Sequence, residues 1–139
     1  MAGTPVQTLV VGGGMITHVQ ILPSLYHLQR KGIISEITVC SSRRSTVQKL
    51  KDNQSLKQAF PGQDFTAFPA DRDDPDTSYP DTYKEVIDSM EPYGMVVCAL
   101  PDQLHFESIM YALEHDQHVM AVKPLVTTFS QGKQIEEAA

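Results

Sequence analysis

The amino-acid sequence predicts an α/β fold in which a doubly wound parallel sheet carries helices on both faces. Short apolar, β-branched segments alternate along the chain with longer segments whose apolar residues recur every three or four positions. Strands that alternate with helices are joined by right-handed crossovers, and such crossovers make the strands parallel. At 139 residues the chain has the length of one domain, residues 1–139, with a single core.

Five segments have the character of strands. The first, VQTLVV, is short, β-branched and followed directly by three glycines, which is typical of a strand buried on both faces. The segment GMVVCAL has the same apolar character. The predicted strands are residues 6–11, 35–40, 64–70, 94–100 and 118–122.

Helical spacing predicts the connections between these strands. After the glycines, Ile16, Val19, Leu22 and Leu25 share one helical face. Pro23 lies inside this pattern and removes one backbone donor, so we expect a bend near the middle of the helix. The predicted helices are residues 15–32, 43–60, 80–90, 103–115 and 127–139.

Composition and charge argue against several classes of function. The formal net charge is −6, whereas a nucleic-acid surface normally carries a basic stripe. Cys40 and Cys98 are far apart and belong to no C-x-x-C pair, which indicates core cysteines in a reducing compartment. The sequence shows no charged leader, and no apolar run approaches the roughly 18 residues of a membrane span. We therefore expect a cytoplasmic protein without nucleic-acid or membrane partners.

One connector, residues 69–81, contains three prolines and five aspartates. A calcium loop of the EF-hand type starting at Asp71 would need glycine at its sixth place and glutamate at its twelfth, where Asp76 and Thr82 stand. The connector is therefore predicted to be a solvated surface loop. His115 and His118 have no third ligand nearby, so we expect no metal site.

The three glycines before the first helix suggest a chemical role. In the pattern G-x-G-x-x-G the first glycine makes the turn, the second admits a diphosphate, and the third lets the helix pack on the strand. Gly12 and Gly14 fill the first two places, while Thr17 takes the third and should hold the helix slightly off the sheet. The first helical N–H groups, at Met15 and Ile16, would face the diphosphate. The alternative is a turn that merely connects two elements.

The end of the second predicted strand bears on which dinucleotide would bind. Folds of this kind place an Asp or Glu there to accept from the ribose 2′-hydroxyl of NAD. This chain has Ser41, Ser42, Arg43 and Arg44 instead, and these residues can hold a 2′-phosphate. The sequence thus favours NADP, with NAD as the second choice, and the alternative is a solvated helix start.

Together these segments resemble the amino-terminal, Rossmann-type domain of the glucose-fructose oxidoreductase, inositol dehydrogenase and MocA family (Gfo/Idh/MocA). The resemblance lies in VVGGGMI and above all in residues 96–125, where a strand leads to Pro101 and His105, then a helix, then a strand ending in Val122-Lys123-Pro124. At the end of this last strand the family has Glu-Lys-Pro instead of Val122-Lys123-Pro124. Many members also have a histidine where this chain has Gln20.

The resemblance implies NAD(P)-dependent oxidation or reduction of a sugar, cyclitol or related polyol at a secondary alcohol carbon. It places Leu100, Pro101 and His105 against the cofactor and makes Lys123 the catalytic residue, which reaches the reacting hydroxyl and the nicotinamide ribose. Family members continue into a substrate domain through which they generally assemble as homo-oligomers. We therefore expect this chain to be a piece of a longer protein, with little catalysis of its own.

The sequence leaves two alternatives to a dehydrogenase. Val122 replaces the family's glutamate, which leaves open a dinucleotide sensor or regulatory module without turnover. A methyltransferase also uses a glycine-rich first turn in a parallel sheet. The non-acidic end of the second strand argues against it, because an acid there usually holds the ribose of the methyl donor.

Overall fold

The computed structural model describes residues 3–139 and contains five parallel strands in one sheet. Their spatial order is β3-β2-β1-β4-β5, and each neighbouring pair is parallel. Both predicted features, the doubly wound topology and the parallel sheet, are confirmed. The strands are β1 Val6–Val11, β2 Ile34–Cys40, β3 Thr66–Phe68, β4 Met95–Cys98 and β5 His118–Ala121.

Six α-helices connect and flank these strands. A π-helical segment, Thr17–Ile21, leads into the first of them, and a 3₁₀ turn, Asp102–Leu104, precedes the fifth. The helices are α1 Leu22–Arg30, α2 Arg44–Lys51, α3 Gln54–Ala59, α4 Thr82–Ser89, α5 His105–Glu114 and α6 Phe129–Ala138. Within residues 3–139, no helix has the length and apolar character needed to cross a membrane.

The helices divide between the two faces of the sheet, as predicted. Side chains of β1 alternate between them: Val10 belongs to the core under α1, α2 and α3, whereas Leu9 and Val11 belong to the core under α4, α5 and α6. Cys40 and Cys98, 1% and 0% exposed, lie in the second core. Burial raises the pKa of both thiols, which suits core residues rather than reactive ones.

The predicted helix 43–60 is wrong in one respect, because the structure divides it into α2 and α3. Asn53 is the reason: its side-chain oxygen accepts a hydrogen bond from the Leu56 N–H at 3.1 Å and so caps a new helix. Asparagine is among the best N-cap residues, and its extended backbone interrupts the preceding helix. A local signal for the break was thus present in the sequence.

The first helix also differs from a uniform α-helix. The sequence predicted a bend at Pro23, and the structure changes from π to α geometry immediately before that residue. Pro23 is the second residue of α1, but the helical backbone is continuous from residue 15, so its missing N–H interrupts the helical hydrogen bonds at this point. The expected irregularity at Pro23 thus takes the form of a π-helical segment on its N-terminal side.

Candidate functional site

A cavity opens at the carboxyl edge of the sheet, at the point where the strand order reverses. From β1 the chain proceeds to β2 and β3 on one side, then crosses to β4 and β5 on the other. Open α/β sheets bind ligands in the crevice that this reversal creates. The cavity has a volume of about 340 Å³, and the ends of β1, β2 and β4 contribute to its lining.

Gly12 makes the turn after β1, and its position excludes any side chain. Its φ is +120°, and a Cβ built on it would lie 2.2 Å from the carbonyl oxygen of Ala99. Its N–H donates to the Cys40 carbonyl at 2.8 Å, while the Ala99 N–H donates to the Val11 carbonyl at 2.9 Å. The backbones after β1 and β4 therefore touch, which only glycine permits.

Gly13 and Gly14 form the floor of the cavity above this contact. A Cβ at Gly14 would meet no atom within 4 Å, whereas one at Gly13 would lie 3.1 Å from the Thr46 methyl group. The side of Gly14 is thus open for another molecule to approach, as a diphosphate would require. This opening, with the start of the first helix beside it, fits the phosphates of a dinucleotide.

The first helix begins next to Gly14. The N–H groups of Thr17 and His18 both donate to the Gly14 carbonyl, at 3.1 and 3.3 Å. Met15 and Ile16 precede these donors and lie in the first turn, where backbone N–H groups have no acceptor within the helix. Both predicted residues therefore lie where backbone donors and the helix dipole favour an anion.

Thr17 has a role that the sequence did not predict. We expected its branched side chain to hold the helix slightly off the sheet; in the structure the residue is also completely buried, and its hydroxyl donates to the Gly12 carbonyl at 2.7 Å. The π-helical segment begins at this residue. Thr17 therefore connects the helix to the glycine turn through a hydrogen bond that glycine or alanine could not make.

On the β2 side, the structure separates the four predicted residues. Ser41 and Ser42 line the cavity. Arg43 is exposed and extended at the N-cap of α2; it follows the two serines in the chain but does not line the cavity. Arg44 is half-buried and lies outside the cavity lining, and its guanidinium is directed at residues 71–73 of the connector that follows β3.

On the β4 side, Leu100 and Pro101 line the cavity, whereas His105 lies beneath them. The imidazole is 0% exposed. Its Nε2 is 2.8 Å from the Leu100 carbonyl oxygen and its Nδ1 is 3.1 Å from the Leu125 carbonyl oxygen. His105 thus connects the end of β4 to the segment after β5, and any effect of it on a cofactor passes through Leu100.

Lys123 follows β5 at the same edge of the sheet. The Val122 N–H donates to the Cys98 carbonyl at 3.0 Å, which sets the segment beside the end of β4. Val122 packs against the core under α1, while the Lys123 side chain is exposed and lies outside the lining of the cavity. The structure therefore brings Lys123 to the edge that holds the glycine turn but not into the glycine cavity.

Comparisons with known proteins agree with this geometry. The sequence model of an oxidoreductase family with an NAD-binding Rossmann fold matches residues 6–139. The chain belongs to the Gfo/Idh/MocA family. The resemblance inferred from the sequence, the Rossmann fold and the class of cofactor, a nicotinamide dinucleotide, are thereby confirmed.

Relatives of this Gfo/Idh/MocA chain are longer than it is. An uncharacterized oxidoreductase of Schizosaccharomyces pombe is 29% identical over 97% of this chain and 31% of its own length. An oxidoreductase from Thermotoga maritima is 25% identical with a TM-score of 0.67, over 96% of this chain and 34% of that one. A 3-ketoreductase from Actinomadura kijaniata, crystallised with NADP, is 23% identical with a TM-score of 0.65, over 97% and 34%. The chain thus spans about a third of each.

Sequence reasoning missed an ion cluster at the rim of the cavity. Asp81 and Glu107 line the cavity, and Lys84 lies between them with its Nζ 3.0 and 2.8 Å from their carboxylates. Hydrogen bonds to Glu107 and Asp81 raise the pKa of Lys84. The spacing of Asp81 and Lys84 was visible in the sequence. Glu107, on α5, could be added only once α4 and α5 were known to be adjacent.

Proposed function

We propose that this domain of the Gfo/Idh/MocA family binds NADP for an oxidoreductase that acts on a secondary alcohol carbon of a sugar, cyclitol or related polyol. One observation carries the proposal: the glycine turn leaves the side of Gly14 open at the crevice between β1 and β4. The family contributes the reaction class, and the related ketoreductase crystallised with NADP supports the cofactor and the small-molecule substrate.

The preference for NADP rests on the turn after β2. No carboxylate follows this strand to accept a hydrogen bond from a ribose 2′-hydroxyl, since Ser41 and Ser42 stand there. Both serines line the cavity, and the exposed Arg43 follows them directly in the chain. Hydroxyl donors together with a guanidinium suit a 2′-phosphate, whose oxygens accept charge-assisted hydrogen bonds.

The roles proposed for the protein groups rest on their positions and, for Lys123, on the family resemblance. A bound nicotinamide dinucleotide would supply or accept the hydride. Gly12 to Ile16 would hold the diphosphate, and Leu100 and Pro101 would form an apolar wall of the crevice. Lys123 would place a cation at the alcohol oxygen, where negative charge develops as hydride leaves, and could exchange a proton with that oxygen.

A dinucleotide sensor without turnover is the second candidate, and Val122 favours it. Where the family resemblance leads us to expect a glutamate beside the lysine, this chain has an apolar side chain packed against the core. No carboxylate at that position can orient Lys123. The sensor would use the same glycine turn and the same crevice, so cofactor binding alone does not separate it from the enzyme.

Calorimetric titration of the 139-residue chain with NADPH, NADH and S-adenosylmethionine tests the binding proposal. We expect NADPH to bind more tightly than NADH and S-adenosylmethionine not to bind. Silence with all three would remove the cofactor assignment, and binding of S-adenosylmethionine alone would indicate a methyltransferase.

Turnover separates the enzyme from the sensor. The full-length protein and its Lys123→Met variant would both be assayed for NADPH oxidation with a panel of keto sugars. Turnover that this variant loses while retaining NADPH affinity supports the enzyme. Tight NADPH binding with no turnover on any sugar supports the sensor.

A further inference from the structure

The connector between β3 and α4, residues 69–81, is bound to the turn after β2; we refer to it as the acidic loop. The Ser45 N–H donates to the Pro75 carbonyl at 3.2 Å, and the Tyr79 N–H donates to the Ser42 carbonyl at 2.6 Å. Two backbone hydrogen bonds therefore hold the loop against the residues expected at the adenosine end of a dinucleotide. The loop is solvated, as predicted, but it is not independent of the site.

Arg44 provides a third and stronger connection to the acidic loop. Its Nη1 donates to the Asp71 carbonyl at 2.7 Å and to the Asp73 carbonyl at 3.3 Å. Its Nε is buried and has no hydrogen-bond partner among residues 3–139. The guanidinium thus binds the backbone of the acidic loop through Nη1, and Arg44 does not line the cavity.

The charge of the acidic loop also acts on Arg44. Five aspartates lie in residues 69–81, and the positive charge of Arg44 helps to lower the pKa of Asp74, after the hydrogen bonds from the Asp76 and Thr77 N–H groups and the Thr77 hydroxyl. The aspartates of the acidic loop consequently offset the positive charge of Arg44. Arg43, at the N-cap of α2, is exposed and directly follows the serines in the chain.

The position of the acidic loop determines one wall of the cavity. Directly after Tyr79, whose N–H donates to the Ser42 carbonyl, come four residues that line the cavity together with the glycines: Pro80, Asp81, Thr82 and Tyr83. A shift of the loop would therefore move this wall. Such a shift would affect any dinucleotide, whether or not it carries a 2′-phosphate.

We propose that Arg44 is a positioning residue, which holds the acidic loop so that the cavity wall forms, and that Arg43 is the arginine that distinguishes NADPH from NADH. This inference rests on the proposed function of the site. It divides two adjacent residues of identical chemistry into a specificity residue and a structural one. The division follows from the partners of Arg44 and not from the sequence, in which the two arginines are equivalent.

The test measures NADPH and NADH affinities by calorimetry for the wild type and for Arg43→Ala, Arg44→Ala, Arg44→Lys and Lys49→Ala. Lys49, exposed on the same helix, is the control for removing one positive charge. Hydrogen exchange of the Ser45 and Tyr79 amides reports on the loop. All titrations are run well below the melting temperature of each variant, so that global unfolding does not contribute.

We expect Arg43→Ala to weaken NADPH by about tenfold or more and NADH by less than about twofold. Arg44→Ala should weaken both dinucleotides by the same factor, about three- to tenfold, and speed exchange at both amides. Arg44→Lys keeps the charge but lacks the planar fork, so it should restore only part of either affinity. Lys49→Ala should leave the affinities within about twofold of wild type.

Selective loss of NADPH in Arg44→Ala, together with its rescue by Arg44→Lys, would overturn the inference, because Arg44 would then bind the phosphate. Unchanged affinities and unchanged amide exchange in Arg44→Ala would overturn it as well. A wild-type chain that binds neither dinucleotide overturns the proposed function itself. The two failures are therefore distinguishable.

Discussion

The glycine turn, residues 12–14, and the β2–α2 turn, residues 41–43, lie side by side at the edge of the sheet but are held by different forces. The glycine turn is fixed by backbone contact, since Gly12 touches Ala99 at a distance no side chain tolerates. The β2–α2 turn is more exposed and is held by hydrogen bonds to the acidic loop. In the proposed binding mode, steric contact at the glycine turn decides whether a diphosphate can approach, whereas side-chain charge at the β2–α2 turn decides which nucleotide is preferred.

The largest expected effect concerns the sterically fixed turn. Gly12→Ala places a Cβ 2.2 Å from the Ala99 carbonyl oxygen at a φ of +120°, so the turn or β4 must move. We expect a loss of at least about 3 kcal/mol in the free energy of unfolding, measured by urea denaturation. Wild-type stability in this variant would contradict the claim that backbone contact holds the turn.

Gly14→Ala is the matched control for that variant. Its Cβ meets no atom within 4 Å, so the free energy of unfolding should change by less than about 0.5 kcal/mol. NADPH affinity should nevertheless fall by about tenfold, because the methyl group occupies the side on which the diphosphate approaches. Unchanged affinity would place the phosphates elsewhere.

The next effect concerns the charge-dependent turn. Ser42→Asp adds a carboxylate at the edge of the cavity, where it repels a 2′-phosphate and can accept from a 2′-hydroxyl. We expect NADPH to lose about 1.5–3 kcal/mol of binding free energy while NADH binds equally well or better. Calorimetry of both cofactors tests this, with Ser42→Ala as the neutral control. Equal losses for NADPH and NADH would remove the adenosine end from this turn.

A smaller loss of stability is expected on replacing His105, which lies below the end of β4. His105→Phe keeps the ring volume but removes both ring nitrogens, one of which donates its N–H to the Leu100 or the Leu125 carbonyl, depending on the tautomer. We expect a loss of about 1–2 kcal/mol in the free energy of unfolding, because a buried acceptor loses its hydrogen bond. If His105→Phe weakens NADPH strongly without lowering stability, the histidine contacts the cofactor directly.

The smallest effect is a pH dependence confined to the acidic loop. The Asp76 and Thr77 N–H groups and the Thr77 hydroxyl donate to the Asp74 carboxylate and lower its pKa. The order this carboxylate provides is therefore fully present above the ordinary aspartate pKa of about 3.9 and is lost as pH falls through its lowered pKa. Amide chemical shifts of Asp76 and Thr77 should titrate below about pH 3.9, and Asp74→Ala should abolish that titration. A midpoint above this value would contradict the assignment.

Much of the architecture could be predicted from the sequence because its causes are local. Alternating apolar segments determine the strands and helices, and the glycines after β1 mark a turn with unusual backbone freedom. Six of the predicted site residues line the cavity, namely Gly12, Gly14, Ser41, Ser42, Leu100 and Pro101, whereas the other six, Met15, Ile16, Arg43, Arg44, His105 and Lys123, do not. The signal for a helix break at Asn53 was also local, but the apolar spacing on either side of it predicted one continuous helix.

The partners of the charged side chains were decided only by the tertiary structure. Arg43 and Arg44 are indistinguishable in the sequence, and Glu107 stands far from Lys84 along the chain. Which guanidinium contacts the acidic loop, and which carboxylate of another helix contacts Lys84, depends on how the crossovers place loops and helices beside one another. Periodicity specifies what a segment is, since each residue's backbone and burial preferences act locally. Long-range pairing depends on where each segment lies in the assembled sheet, and no local sequence pattern specifies that position.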